Sequence, residues 1–369
     1  MGMYDICAFA GRMRPPTEPH LKNIRACLLS GQYAFIFVGS AFEAPHFKNP
    51  HTFDEVVGMI RGSLTPAEND RVYIFPVEDR ESNLQWVRDV QRITTREAAN
   101  LKLGHEPRIA LVGYAKDGTS YYLKMFPEWG AVATQAVLGE QELPVSATDI
   151  RHSIYDAEDP AAQVELLYRS EPQVIPQGTY VFLRQWVHTA QFELMRAEYK
   201  FMVKEYLPLF PKNPFTDDPQ QFPCADGFMY HAGSVCLVQR GQMPGLGLWA
   251  SPGGHKRAYQ TFEEAMLDEV NQETQILDLN DWLTRDMLAS FIRGEKMLDN
   301  PWRSNREVTF SMAYGLVIPA HYPRPAIKGA DDARQARWWN TDEVVRSMMF
   351  EDLYNPFEYF LHQFDDLSI

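Results

Sequence analysis

Short apolar runs alternate with amphipathic stretches through the first half of the chain. Tyr4–Phe9, Ala34–Val38, Val72–Pro76 and Arg108–Val112 are brief and apolar and are bounded by turn residues, the pattern of buried strands. Leu21–Leu29, Phe53–Arg61, Asn83–Glu97 and Thr148–Tyr155 place their apolar residues at helical spacing. Strand and helix in turn predict an α/β unit, a parallel sheet with helices on both faces. Ligands of such sheets gather at the carboxyl ends of the strands. The loop that begins at Gly11 and the pair Gly39-Ser40 both follow strands and fall at that end.

From Thr179 to Leu207 the pattern is helical and rich in aromatic and long side chains. Prolines then crowd the stretch Pro208–Pro219, which cannot continue a helix and is expected to form a semi-rigid linker. Beyond it, Ala225–Gln239 and Glu307–Ile318 read as strands and Phe262–Thr274 as a helix, an α+β half with its own core. The expected division is residues 1–185, a helix and linker over 186–224, and a second domain over 225–369.

At 369 residues the chain has material for two cores. A hydrophobic content of 45% with 23% charged residues places it among globular proteins. The net charge of −14 excludes general binding to nucleic acid or to an anionic membrane. Any polyphosphate ligand must therefore be held by local arginines, helix N-termini and metal ions. Cys7, Cys27, Cys224 and Cys236 show neither a C-x-x-C pair nor zinc spacing, so they are expected as reduced, buried thiols. With no secretion signal at Met1–Asp5 and no apolar run long enough to span a bilayer, the expectation is a cytoplasmic protein. A homo-oligomer is compatible with the sequence.

The chemistry of the first half concentrates at Ile6–His20. An apolar run ends in a Gly/Pro loop, and the loop ends in a histidine at the mouth of a predicted helix. Backbone N–H groups, Arg12, Arg14 and the imidazole of His20 meet there, a combination suited to a nucleoside triphosphate.

Gly11–Leu21 resembles the G-R-F-x-P-F-H-x-G-H-L signature of the nucleotidyltransferase superfamily, as found in nicotinamide mononucleotide (NMN) adenylyltransferases. Thr17-Glu18-Pro19-His20 stands where that family has H-x-G-H or T-x-G-H, and Pro19 is a departure. Lys48–Phe53 followed by Met59-Ile60 resembles its K-N-P-F-T-F-x-x-R-x-x-M-I, with the arginine absent. Leu84–Gln91 resembles L-W-V-x-x-V-Q, and Val145–Arg151 resembles I-S-x-T-x-I-R. Lys116–Leu123 and Phe126–Trp129 resemble K-D-x-S-S-Y-Y-L and F-P-x-W of the two-domain members. The resemblance implies a Rossmann-like fold and transfer of AMP from ATP to NMN, giving NAD and pyrophosphate. His20, Thr17 and Arg151 would be catalytic, with His20 donating to the α-phosphate. Gly11, Arg12, Arg14, Ser146, Thr148 and Arg151 would hold ATP. Asn49 and Trp86 would hold NMN, Trp86 by stacking on the pyridinium.

The second half carries a spaced motif after Pro252-Gly253-Gly254. Thr261-Phe262-Glu263-Glu264 is a capping box, so a helix should begin there. Glu269 and Glu273 are four apart and share one helical face, with Gln272 beside them. Two carboxylates and an amide oxygen can bind one Mg²⁺, more weakly than three carboxylates. The spacing resembles the Nudix signature G-x5-E-x7-R-E-U-x-E-E-x-G-U. Gln260 stands at the first Glu, Asp268 at the Arg, Gln272 at one Glu and Gln275 at the last Gly. Loss of carboxylates at Gln260 and Gln272 is expected to weaken metal binding. Gly247–Gly254, Leu298–Arg306 and Lys328–Trp338 resemble flanking segments of the Nudix half of fused NMN adenylyltransferase/Nudix proteins. That resemblance implies hydrolysis of ADP-ribose to AMP and ribose 5-phosphate. Glu269, Glu273 and Gln272 would hold Mg²⁺, with Mn²⁺ as an alternative ion, and Gly253, Gly254, Arg303 and Arg306 would hold ADP-ribose. The implied partners are ATP, NMN, NAD and ADP-ribose. Two alternatives stay open: another phosphate acceptor, such as nicotinate mononucleotide or a pantetheine phosphate, and a non-catalytic nucleotide or ADP-ribose sensor.

Overall fold

The computed structural model describes residues 3–80, 82–113, 124–134, 145–210, 212–213, 216–306 and 308–364. The Lys116–Leu123 motif lies outside the described residues. The chain divides into two compact units, Met1–Arg196 and Ala197–Ile369.

In the first unit the strands are β1 (Tyr4–Gly11), β2 (Gly31–Val38), β3 (Val72–Pro76), β4 (Ile109–Gly113) and β5 (Gly130–Ala133). Among the described residues they form one parallel sheet in the order β3-β2-β1-β4-β5. The order reverses beside β1, so the crevice for a ligand opens at the carboxyl end of that strand. The helices are α1 (Glu18–Ser30), α2 (Phe53–Arg61), α3 (Pro66–Asn69), α4 (Asn83–Asn100), α5 (Ala147–Asp156), α6 (Pro160–Arg169), α7 (Gln177–Trp186) and α8 (Ala190–Tyr199). Two apolar layers flank the sheet, as helices on both faces require. One gathers Cys7, Phe9, Leu21, Ile24, Ile36 and Met59, and the other Ile6, Ala8, Phe35, Phe37, Val87 and Val90. Successive residues of β1 and β2 alternate between the two layers, which is why those strands read as unbroken apolar runs.

The second unit contains β6 (Gln221–His231), β7 (Ser234–Arg240), β8 (Trp249–Ala250), β9 (Gly253–His255), β10 (Ile292–Leu298), β11 (Val308–Val317) and β12 (Ala333–Asn340). The mixed sheet runs β10-β11-β6-β7-β12, with β8 on β7 and β9 on β6. Its helices are α9 (Phe262–Thr274), α10 (Arg285–Ser290) and α11 (Tyr354–Phe364). One face of the sheet packs on α9 through Met266 and Val270, and the other on α11 through Phe357, Phe360 and Phe364.

Ala225–Gln239, read above as one strand, is a hairpin. Ala232 and Gly233 both have positive φ, at 45° and 73°, the requirement of a tight turn matched to the strand twist. Near the end of the Thr179–Leu207 pattern, before the prolines, α8 passes into a π-helical turn, Lys200–Tyr206, that belongs to the second unit. Among the described residues no helix is long and apolar enough to cross a membrane. All four cysteines are free and buried.

Candidate active sites

At the carboxyl end of β1 the chain turns through Arg12–Pro16 into α1. Thr17 caps that helix, and Pro19 lies in its first turn, where a missing N–H costs nothing. His20 turns back on the cap. Its Nδ1 lies 3.0 Å from the Thr17 backbone nitrogen and 2.8 Å from the Thr17 hydroxyl. The backbone N–H can only donate, so Nδ1 is the acceptor and a neutral ring carries its proton on Nε2. The histidine is thus set as an Nε2–H donor, and Thr17, itself buried, is the residue that orients it.

Arg14 is 2% exposed, and its guanidinium donates to backbone carbonyls of Arg12, Gly39, Ser40 and His51. It was expected to hold ATP. In this structure it pins three segments together instead, with four of five N–H groups consumed. Arg151 comes from α5, whose N-cap Ser146 accepts from the Thr148 backbone N–H. Its guanidinium donates to the Arg14 carbonyl and, at 3.2 Å, to the Thr148 hydroxyl. The first loop and the α5 arginine therefore meet.

The junction is strongly electropositive. Burial pushes both Arg14 and Arg151 down to about 10, with Arg12 adding repulsion to each. Burial also lowers His46 to about 3, helped by Lys48, Arg12, Arg151 and Arg14. The Nε of Arg151 is buried with no hydrogen-bond partner. A cluster of crowded guanidiniums that stay protonated at neutral pH, one with an unused buried donor, is complementary to a polyanion.

Arg12 is exposed and pairs with Asp79 at 3.1 Å. Asp79 also accepts from the backbone N–H and hydroxyl of Ser40, at 3.2 and 2.6 Å. This acid, which fastens the loop after β2 to Arg12, was not identified from sequence; its only signal is a carboxylate just past β3. Gly11 accepts through its carbonyl from the Gly39 N–H. Asn49 is buried, donates weakly to the Ser40 carbonyl, and keeps an unpartnered amide oxygen. Trp86 stands on α4 with its ring edge-on to Phe126 at 5.9 Å, and Phe126 stacks on Trp129 at 4.4 Å.

In the second unit α9 begins with the predicted capping box: Glu264 N–H to the Thr261 hydroxyl, and Thr261 N–H to the Glu264 carboxylate. Glu273 accepts from the Gly253 N–H at 3.1 Å. A Cβ on Gly254 would sit 2.7 Å from the Glu269 carboxyl, and one on Gly253 would overlap Asp226. The two glycines thus let a strand lie directly on the acidic face of α9. Burial, with Glu269 and Asp226 adding repulsion, raises the Glu273 carboxyl to about 8 against the opposing Gly253 N–H and Arg240. Glu269 is raised for the same reasons, burial first and then Asp331.

A cavity of about 480 Å³ is lined by these acids and Gln272, and also by Arg240, Arg303 and Arg306. Arg303 makes a two-pronged bond to Asp352, 2.9 Å on each arm. Burial opposes its charge, but Asp352 outweighs burial and holds the guanidinium protonated. Arg240 and Arg306 lie over the ring of Phe350, at 4.0 and 5.4 Å. Asp226, Arg240 and Phe350 escaped the sequence reading, since each is a lone residue on a strand or loop outside the motif.

Among the described residues no three His, Cys, Asp or Glu side chains form a ready cation cluster. The donors that α9 itself presents are two crowded carboxylates and an amide, all oxygen. That set fits a divalent ion completed by water and phosphate oxygens. Gln260, whose change was expected to weaken metal binding, is engaged in a contact of its own. Its amide spans the Arg257 N–H and the Asp268 carboxylate, at 3.0 and 2.6 Å, and Asp268 in turn pairs with Arg285. Gln260 therefore braces the loop.

Residues 222–361 match the NUDIX domain family. The chain is 26% identical over 200 residues to a nicotinamide/nicotinic acid mononucleotide adenylyltransferase of Acinetobacter baylyi, covering 54% of this chain and 96% of that protein. It is 29% identical over 167 residues to a nicotinamide-nucleotide adenylyltransferase of Pyrobaculum neutrophilum, covering 45% of this chain and 78% of that one. A bifunctional NMN adenylyltransferase/ADP ribose pyrophosphatase of Francisella tularensis, solved with AMP and a manganese ion, superposes with a TM-score of 0.80. That likeness covers 98% of this chain and 99% of the other, at 29% identity.

Proposed function

We propose that this chain, which joins a domain of the NMN adenylyltransferase type to a Nudix domain, makes NAD from ATP and NMN in its first unit and hydrolyses ADP-ribose in its second. The observation that carries the first activity is the junction at the head of the β1 crevice. There Arg151 grips the loop whose Thr17 sets His20 as a donor.

The phosphate of NMN is already a nucleophile, so no covalent enzyme intermediate is needed. One of its oxygens attacks the α-phosphorus of ATP; the new P–O bond forms as the bond to the β-phosphate oxygen breaks, and pyrophosphate leaves. Catalysis is positioning plus stabilisation of charge on the phosphates. His20 donates from Nε2 to an α-phosphate oxygen. Arg151 and the N–H groups at the start of α5 hold the β- and γ-phosphates. Asn49 and Trp86 receive the nicotinamide end.

In the second unit, Glu269 and Glu273, with the Gln272 amide, would hold a divalent ion. That ion would supply Lewis-acid charge to the pyrophosphate. Arg240 and Arg306 face the same cavity and bind the phosphate oxygens. Glu273, through Gly253, keeps β9 against the helix.

Incubation with ATP, NMN and Mg²⁺, followed by chromatography, tests the first activity. ATP bound without NAD formed overturns it. A parallel reaction with nicotinate mononucleotide decides the acceptor. Release of AMP from ADP-ribose with Mg²⁺ or Mn²⁺ tests the second, and a parent protein that releases none is a binder.

A further inference from the structure

Three consecutive residues before α11, Phe350-Glu351-Asp352, reach all three arginines of the second unit's cavity. The Phe350 ring meets Arg240 at 4.0 Å and Arg306 at 5.4 Å. Glu351 pairs with Arg306 at 3.7 Å and accepts from the Ser304 hydroxyl and the Asn305 N–H, at 3.0 and 2.7 Å. Asp352 takes both arms of Arg303. Successive side chains of an extended segment point to opposite sides. Glu351 breaks that alternation with a φ of 50°, in the left-handed region that a residue with a Cβ seldom enters. Strain of this kind persists only where the surroundings over-determine it, and it gathers at functional sites.

The arginines are not equivalent. Carboxylates hold Arg303 and Arg306, whereas Arg240 has no ion-pair partner among the described residues and spends its Nε on the Pro244 carbonyl at 2.8 Å. Burial opposes the charge of Arg240 and Arg306 repels it, against the pull of Glu351 and Glu273. What gathers these two cations is the aromatic ring, whose negative quadrupole attracts each guanidinium, more strongly away from water. The ring is itself fixed. The Phe350 N–H donates to the Trp249 carbonyl at 2.8 Å. Gly245, at a φ of 74°, lies so close to the ring that a Cβ would overlap it, and its N–H donates to the buried Glu198 carboxylate at 2.8 Å. Pro244 and Gly245 are neighbours, so ring and guanidinium rest on one support.

We infer that Phe350 is a positioning residue of this site, whose ring sets Arg240 and Arg306 together at the spacing at which they take phosphate oxygens. The inference rests on the reading of the second unit as a pyrophosphate hydrolase. A ring that only filled the core would exchange for an aliphatic side chain at a cost in stability alone. A ring that holds two repelling cations does not, because without it the guanidiniums separate and turn to other acceptors.

The test uses the full chain with Phe350→Leu, which keeps apolar bulk without a ring, and Phe350→Tyr, which keeps the ring. For Phe350→Leu the expected result is a KM for ADP-ribose raised on the order of tenfold, the scale of a cation–π contact out of water. Inhibition by inorganic pyrophosphate, at fixed free Mn²⁺, should weaken in parallel. Phe350→Tyr should restore both. The Mn²⁺ concentration for half-maximal AMP release, set by the acids of α9, should not move. Urea unfolding reports that the second unit is folded; if Phe350→Leu is not, Phe350→Met, closer in volume, takes its place. In an Arg240→Met background, removal of the ring should matter less than in the parent, since one of its two cations is already gone. If the parent cleaves ADP-ribose and the ringless variant keeps its KM, or Phe350→Tyr loses as much, or the Arg240→Met background changes nothing, the positioning role is refuted and the hydrolase reading stands. If the parent cleaves nothing, the hydrolase reading fails, and calorimetric binding of ADP-ribose decides the role of the ring, any heat from the first unit being common to parent and variants. A loss of affinity confined to the ringless variant supports it; equal affinities, or equal losses in both variants, overturn it.

Discussion

His51→Phe should make the first unit more stable and less sensitive to acid. His51 is 2% exposed, and neither ring nitrogen has a hydrogen-bond partner. Its ring stands edge-on to Trp186 at 4.5 Å and to Phe182 at 5.4 Å, an aromatic box with no polar role for an imidazole. Burial holds its pKa well below 6.5, with Arg151 and Arg14 adding repulsion. The sign follows from which state binds the proton. The unfolded chain takes it up near pH 6.5, whereas the folded chain refuses it until far lower pH. The folded state is therefore at full stability above the unfolded pKa and loses it as pH falls. Between pH 7.5 and 5.0 that loss is about 2 kcal/mol for one such histidine, at roughly 1.4 kcal/mol per pH unit below 6.5. Phenylalanine removes this term. It also removes two unsatisfied buried nitrogens, each costing about 1–3 kcal/mol. The assay is urea unfolding of parent and variant across this pH range, following the transition of the first unit. His46 titrates similarly in both proteins and cancels. Equal pH slopes for parent and variant would show that the ring is hydrated or charged when folded, and the reasoning would fail.

Other outcomes follow from the same geometry. His20→Ala and Arg151→Ala should each lower kcat for NAD formation by at least a hundredfold, about 2.7 kcal/mol, with the fold intact by circular dichroism. Arg14→Ala should act on stability first: losing one donor to four backbone carbonyls should cost roughly 3 kcal/mol or more, seen as a lower unfolding midpoint. Mn²⁺ affinity of the second unit, read by calorimetry, should rise about tenfold per pH unit up to pH 8. The cause is that Glu273, raised to about 8, must give up its proton to bind the ion. Glu273→Gln should remove both that pH dependence and AMP release.

Much of the first unit was legible in the chain because parallel strands buried on both faces leave unbroken apolar runs, and helices between them leave a period. Phe53–Arg61 and Phe262–Thr274 have the bounds expected, the first from its helical spacing and the second from its capping box. The strand Gly130–Ala133 was not seen, since its burial is partial and its residues are small. The acidic pair was legible from its spacing on a helix that opens with a capping box, and His20 from its place at the end of the Gly/Pro loop, whereas Arg151 was reached through the resemblance of Val145–Arg151 to a family motif. Arg14 illustrates the limit. Its position near the loop is readable, but whether its N–H groups face phosphate or carbonyls depends on Gly39, Ser40 and His51, which are brought close only by the fold. Asp79, Asp226 and the Arg240–Phe350–Arg306 stack belong to the same class: contacts between elements far apart in sequence, with no local pattern.

The departures from the Nudix signature do not fall evenly on function. Gln260 and Asp268 contact each other: where the signature has an acid and an arginine, an amide here donates to a carboxylate, and Arg285 supplies the cation from α10. The brace survives in altered chemistry. Gln275 takes the left-handed conformation, φ 52°, at the end of α9, where glycine would be free of strain. The cost is on the order of 1 kcal/mol. It is offset locally: the Gln275 N–H bonds back to the Asn271 carbonyl, and the Asn271 side chain accepts from the Leu277 N–H. The turn is therefore kept by a neighbour. Of the four substitutions, only Gln272 lies in the wall of the cavity. A hydrolase with both braces sound and one carboxylate missing should be limited by how tightly it binds its metal and unaffected in how it holds its substrate. Gln272→Glu should consequently lower the Mn²⁺ concentration needed for half-maximal AMP release and leave the KM for ADP-ribose at saturating Mn²⁺ unchanged. If the variant shifts KM and leaves the metal requirement alone, Gln272 serves the substrate, and the reading of the acidic face as a weakened cation site is wrong.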